Sequence, residues 1–315
     1  MLAFLLLLLL SVSHSQKQED AVYAVGVPFE IDGVVQQIPL FVRAGQSASD
    51  AVATFCTREQ PNLCANDAAI VQILNIVTST IDVQRERLYP NRVLRTLIEA
   101  KQVQDAAGKN RSLDSNVAPD EGLYLFHLIK QHNMTKTLEV GMAYGISALY
   151  IAQAHRELNL HPVPLPVGKA NDRSGGRPHT AIDPFQSTQW HSIGSLNLMR
   201  AELRHYVHLI EQESHFALPH LAMHQKGTFQ LCFIDGMHLF DYTLVDFYYS
   251  DMLIVPGGFI VFDDAHMPSV QKVIAHALTN RAYVQIENGL NSPRVVTLQK
   301  SRQDDRSWDF HDDDF

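Results

Sequence analysis

The sequence predicts an α/β protein, a parallel sheet covered on both faces by helices and preceded by a small ββαα unit. Three observations carry this expectation. From about residue 120 to residue 283, short apolar runs alternate with amphipathic helical stretches, the pattern of a sheet built from helical crossovers. The run Thr137-Leu-Glu139-Val-Gly141-Met-Ala143-Tyr-Gly145-Ile-Ser147 reads as a strand, a turn with two glycines and the first turn of a helix. Five predicted strands each end in polar residues: Glu139, Asp183, Glu213 with Ser214, Asp235 with His238, and Asp263 with Asp264. In an open α/β sheet such ends line one crevice, where ligands bind.

The chain has 315 residues, enough for one large domain and a small one. A hydrophobic fraction of 46% and a charged fraction of 19% describe an ordinary globular protein. The net charge of −9 argues against nucleic acid as the main partner. Asp304, Asp305, Asp309, Asp312, Asp313 and Asp314 make residues 301–315 an acidic tail, read as solvated and mobile. Residues 1–15 are a run of leucines followed by Ser-Val-Ser-His-Ser. The run is shorter than the roughly twenty apolar residues that span a bilayer. It reads as a signal peptide cleaved near Ser13 or Ser15, with an uncleaved anchor as the alternative, and it directs the chain to the secretory pathway, the ER lumen or the exterior. No later stretch is long and apolar enough to span a membrane. Cys56 and Cys64 flank a Pro-Asn turn and suit a local disulfide in that compartment, while Cys232, in an apolar run, reads as a buried thiol. Asn110-Arg-Ser112 and Asn133-Met-Thr135 are glycosylation sequons, the first in a polar loop and the second directly before a core strand.

In chain order, residues 22–31 and 34–42 are strands joined at Asp32-Gly33, a strong hairpin signal. Residues 47–50 start a helix with Ala51, Val52 and Phe55 on one face, and 67–80 form a second helix with Ile70, Ile73, Leu74 and Val77 at helical spacing. This unit, residues 20–82, carries no chemical constellation. It reads as a packing or binding module, open to a second copy of the chain or another partner. A helix over 85–101, limited by Pro90, and a polar stretch over 105–119 read as connection and linker. Asp120 is the expected cap of a helix to residue 131, before the first strand. The helix over 147–158 follows the glycine turn. Residues 161–178, with four prolines and a Gly-Gly, read as a mobile insertion.

The strand 179–182 ends at Asp183, where a carboxylate can accept both hydroxyls of a ribose; capping the next turn is the other role open to it. Strands over 206–210, 229–235 and 259–262 follow, the fourth an almost unbroken apolar run, as suits a doubly covered strand. Helices over 240–252 and 269–278 and two closing strands near 283–287 and 294–298 complete the chain.

The spacing of Gly141 and Gly145 excludes the usual phosphate loops, and Glu139 beside the turn favours a ligand with a cationic amine. This E-x-G-x-x-x-G resembles motif I of the class I S-adenosylmethionine (SAM) methyltransferases. Residues 138–151, Ile182-Asp-Pro-Phe-Gln-Ser-Thr-Gln-Trp190, Phe233-Ile-Asp-Gly-Met-His238 and Pro256-Gly-Gly-Phe-Ile-Val-Phe-Asp-Asp264 extend the likeness to the methyltransferase-24 family, over about residues 120–285. The resemblance implies a Rossmann-like seven-stranded sheet with the last strand antiparallel, SAM as donor, and O-methylation of a small-molecule hydroxyl. It places Glu139, Gly141 and Gly145 beside the methionine part of SAM, Asp183 on the ribose and Ser214 near the adenine. It counts Ala143, Ser147 and Asp235 among the cofactor contacts. For catalysis, Asp235, His238 and Asp264 gather where the acceptor should sit. Either Asp235, Asp263 and Asp264 hold a divalent ion such as Mg²⁺, as in catechol-type enzymes, or His238 acts as a metal-free base; His266 stands nearby. A metal-dependent enzyme of another kind and a catalytically inactive binding protein are the other functional readings.

Overall fold

The computed structural model describes residues 23–31, 34–42, 47–59, 61–64, 66–160, 176–290 and 292–310. The expected signal peptide, the Asp32-Gly33 turn and most of the 161–178 insertion fall outside them. The chain divides into two compact units, Met1–Gln84 and Arg85–Phe315. No helix among the described residues is long and apolar enough to cross a membrane.

In the first unit, β1 (Tyr23–Ile31) and β2 (Val34–Val42) pair antiparallel. Their period-two pattern turns Val25, Val27, Leu40 and Val42 inward. These pack on α1 (Ala48–Thr54) and on Ile73 and Val77 of α2 (Asp67–Leu88). The Ser47 hydroxyl caps α1 by accepting from the Asp50 N–H at 3.1 Å. Cys56 and Cys64 are bridged, as their spacing predicts.

The second unit begins differently from the expected connection. The helix read over 85–101 is two helices: α2 runs on to Leu88, and α3 (Arg92–Ala100) starts after Pro90 with Asn91 accepting from the Val93 N–H at 2.8 Å. The stretch read as a linker contains a hairpin, β3 (Gln102–Gln104) with β4 (Asn110–Ser112), turned by Asp105, whose carboxylate accepts from Ala107 and Lys109. Val103 and Val117 bury into the core, so these residues belong to the large unit. Helix α4 (Pro119–Gln131) is not capped by Asp120; the Glu121 carboxylate reaches back to accept the Ala118 N–H at 2.8 Å.

A seven-stranded sheet follows: β5 (Thr137–Val140), β6 (His179–Ile182), β7 (Val207–Ile210), β8 (Phe229–Ile234), β9 (Ile254–Phe262), β10 (Tyr283–Ile286) and β11 (Val296–Lys300). Its order is β10-β11-β9-β8-β5-β6-β7, and β11 runs antiparallel to both its neighbours, as expected. Strand β9 is longer than predicted because Pro256-Gly257-Gly258 sits inside it, at a register shift against β8. Helices α4 and α5 (Ile146–Glu157) pack together over one core cluster. Helices α7 (Ser214–Gln225), α8 (Phe240–Leu253) and α9 (Pro268–Asn280) pack on the other, and short α6 (Ile193–Arg200) lies after β6. Cys232 is buried in β8, where desolvation pushes its thiol up to about 12. The acidic tail is tied down at its start, since Asp304 pairs with Arg281 and Arg306; Asp312 to Asp314 lie outside the described residues. The strand order reverses between β5 and β8, so the carboxyl ends of that pair open the crevice.

Candidate active site

The glycine turn leaves β5 directly against the end of β8. Gly141 has φ +90°, and a Cβ there would lie 1.9 Å from the Asp235 carbonyl oxygen. Only glycine fits. Gly145, at φ +79°, precedes α5 and abuts the Gly194 backbone of α6. Between them Ala143 is left-handed at φ +44° without being glycine, and neighbours hold it there. Asp183 Oδ2 accepts from the Ala143 N–H at 2.7 Å and the Met142 N–H at 3.1 Å. Gln186 donates to the Ala143 carbonyl at 2.6 Å, and Asn197 to that of Tyr144 at 3.0 Å.

Asp183 therefore holds the glycine turn, a role beyond the expected one. Its other oxygen, Oδ1, accepts from the Phe185 N–H at 2.8 Å, and Gln186 Nε2 donates to Oδ2 at 3.2 Å. Oδ2 thus takes three donors and Oδ1 one, which leaves Oδ1 with a further accepting lone pair. Asp183 clasps the glycine turn through Oδ2 and caps its own next turn through Oδ1, the other role open to it in the sequence. Asp183→Ala leaves two buried N–H groups of the turn unpaired, at about 1–3 kcal/mol each. The expected result is SAM affinity weakened at least about tenfold, measured by calorimetry, and unchanged affinity would show that the clasp does not shape the crevice.

Glu139 is also placed differently. It is fully buried beneath the turn, accepting from the Ser147 hydroxyl at 2.8 Å and facing His179 Nε2 at 3.2 Å. The Thr137 hydroxyl lies between His179 at 2.9 Å and His155 at 2.8 Å. Burial pushes His155 down to about 3, so that ring is neutral. Glu139 thus ties β5 to α5 and β6, and supports the turn from below instead of pointing into it. Ser214 is the first residue of α7. Its hydroxyl and His215 oppose the burial that pushes Asp246 up to about 6.

Asp235, His238 and Asp264 come together as the sequence predicts. One ligand atom from each lies within 4.8 Å of the others. His238 Nε2 is 2.9 Å from Asp264 Oδ2 and 3.5 Å from Asp235 Oδ1. The Asp235 hydrogen bond and the surrounding acids raise the His238 pKa against the effect of burial. Asp235 keeps 26% of its side-chain surface, yet desolvation still pushes it up to about 6, with His238 opposing. Asp263 does not join the group. It is buried, and its Oδ1 accepts from the Asp264 N–H at 2.8 Å; burial and then the Asp235 charge push it up to about 7. The expected Asp235-Asp263-Asp264 metal set is thereby replaced by a cluster with His238 in place of Asp263. His266 stands at the rim, 3.6 Å from Asp264.

Gln186, Asn197, Arg294 and Glu121 escaped the sequence reading. Gln186 lies inside a run already singled out, whereas Asn197 and Arg294 carry no local signal. Arg294 Nη2 lies 3.0 Å from Asp264 Oδ1.

A family model described as a methyltransferase domain, methyltransferase-24, matches residues 138–265. No curated protein matches the sequence. A methyltransferase of Podospora anserina, solved with S-adenosylhomocysteine bound, is 13% identical; the match covers 71% of this chain and 95% of that one, at a TM-score of 0.51. A Staphylococcus aureus protein assigned as a caffeoyl-CoA O-methyltransferase is 16% identical, covering 71% of this chain and 98% of that one, also at 0.51. At these identities the structures establish the fold, and the family model establishes the kind of domain. Over residues 138–265 the chain matches a methyltransferase-domain model, on the Rossmann-like fold that these methyltransferase structures share.

Proposed function

We propose that this domain methylates a hydroxyl oxygen of a small molecule, with His238 as the general base. The observation that carries the proposal is the His238 ring held between Asp235 and Asp264 at the mouth of the β5/β8 crevice. SAM, when bound, supplies an electrophilic methyl group on a sulfonium that leaves as a neutral thioether. The chain's residues align, shield and deprotonate. The glycine turn and the start of α5 form one wall, and the acids at the strand ends give the crevice a negative field that suits a cationic ligand. Nε2 faces both carboxylates, so with its proton there Nδ1 accepts the proton of an acceptor hydroxyl, and the two negative charges stabilise the resulting imidazolium.

Met237 and Leu239 flank His238 and are 50% and 56% exposed, which supports an acceptor with an apolar or aromatic body. The Cys56–Cys64 bridge supports placement in an oxidising compartment of the secretory pathway.

The test is methyl transfer from labelled SAM to a panel of phenols, catechols, aliphatic alcohols, amines and thiols, alongside calorimetry with SAM alone. The expected results are SAM binding in the micromolar to millimolar range and label in the hydroxyl compounds. Binding without transfer to any hydroxyl would overturn the O-methylation reading, and absence of binding would overturn catalysis by this crevice.

A further inference from the structure

The charge around the strand ends is not balanced by His238 alone. Four carboxyl groups, Asp235, Asp263, Asp264 and Glu121, converge on the crevice, and one guanidinium reaches three of them. Arg294 Nη2 is 3.0 Å from Asp264 Oδ1 and 3.8 Å from Asp263 Oδ2, and its Nε is 3.7 Å from Glu121 Oε1. The residue is built in. Its carbonyl accepts the Ala265 N–H at 2.7 Å, fixing the turn before β11 to the end of β9, and its own N–H donates to Ser292 Oγ at 3.2 Å. Ser292 donates in turn to Glu121 Oε1 at 3.4 Å, while Glu121 Oε2 caps the Ala118 N–H. Glu121 is buried, so one wall of the guanidinium site is held by α4 and another by β9.

This arrangement conflicts with the divalent ion expected from the catechol-type resemblance. Mg²⁺ takes near-octahedral oxygen ligands and keeps several waters. Here Asp263 is turned to a backbone N–H, and both oxygens of Asp264 are engaged, Oδ2 by His238 and Oδ1 by Arg294. The third donor is a nitrogen, and a guanidinium stands where a second positive charge would have to enter. Asp264, at φ +48°, sits in a left-handed conformation that a non-glycine residue keeps only when its surroundings fix it.

We propose that Arg294 is the resident cation of this site, a positioning residue that fixes Asp264, and through it the His238 ring, in place of a divalent metal. The inference rests on the reading of His238 as the base of a methyltransferase, but its test includes a measurement that needs no acceptor. Mn²⁺, a paramagnetic stand-in for Mg²⁺, is titrated into the full chain and followed by its electron paramagnetic resonance signal. Wild type is expected to leave Mn²⁺ free. Arg294→Gln, by uncovering Asp264, is expected to bind Mn²⁺ at least about tenfold more tightly than wild type, and Arg294→Lys, which keeps a charge, to resemble wild type. In methyl transfer, Arg294→Gln is expected to lower kcat about ten- to a hundredfold while SAM affinity by calorimetry stays within about twofold, a split that a general loss of structure would not give.

Stoichiometric Mn²⁺ binding to wild type that is lost in Asp264→Asn overturns the proposal, and this needs only wild type and one variant should Arg294→Gln fail to fold. Equal exclusion of Mn²⁺ by folded Arg294→Gln also overturns it. If Mn²⁺ behaves as expected but no acceptor is ever methylated, the failure lies in the catalytic reading and not in the role of Arg294 as resident cation.

Discussion

Gly141→Ala is expected to abolish SAM binding and to destabilise the large unit by several kcal/mol. The added Cβ would lie 1.9 Å from the Asp235 carbonyl oxygen, a backbone atom that cannot rotate away. The φ of +90° adds strain of its own, since an L side chain rarely adopts it. Relief requires β5 and β8 to separate at their carboxyl ends. That separation would move the turn and Asp235, which together line the crevice, and a pair of central strands cannot part without loss of core packing. A loss of about 3 kcal/mol or more is at the severe end for single substitutions and is assigned here to backbone overlap. Chemical denaturation of variant and wild type measures it. A variant within about 1 kcal/mol of wild type would mean that the two strand ends can move apart freely.

His238→Ala should retain the fold and SAM binding while lowering methyl transfer by about a hundred- to ten-thousandfold, the usual range for a removed general base. The pH profile gives a sharper expectation. The Asp235 hydrogen bond and the neighbouring acids raise the His238 pKa above 6.5. A base works only when neutral, so the rate should fall as pH drops through that raised value, with the acid limb above pH 6.5. Asp264→Asn removes one of the negative charges responsible and should shift the limb towards lower pH. Both profiles come from initial rates under saturating SAM. A limb that stays in place in Asp264→Asn, or a His238→Ala variant of wild-type rate, would remove His238 from the chemistry.

Much of the fold and the identity of the cluster were legible in the sequence because both are local in the chain. The glycine turn, the apolar strands and the acids that end them are written over a few residues each, and the strand ends of an α/β sheet meet by topology alone. Orientation was less legible. Glu139 and Asp183 were correctly placed at strand ends, yet Glu139 lies under the turn and Asp183 clasps it from the side. Whether a carboxylate faces a ligand or its own backbone depends on unpaired N–H groups about forty residues away, and these do not show in a linear pattern. Asp263 was grouped with Asp264 because they are adjacent, although only Asp264 faces His238. Arg294 and Glu121 were missed for the opposite reason: neither is near the motifs in the chain. The hairpin over residues 102–112 was read as a linker because its composition is polar, yet Val103 in it and Leu113 and Val117 after it reach the core.

The separations that bring the crevice together bear on the order in which it is assembled. The Asp183 clasp joins residues 40 positions apart, Thr135 meets Gln230 across 95, and Ser292 meets Glu121 across 171. Closing a longer loop costs more entropy before any contact repays it, so contacts of small separation form first. Arg294 and Asp264 are nearer in sequence than any of these pairs, so their contact closes early and the one between Ser292 and Glu121 closes late. The charge of Asp264 is then partly balanced before α4 brings Glu121 to the same guanidinium. In this chain the charge pairs of the chemical site are early products of folding, and the seat that α4 gives them is a late one.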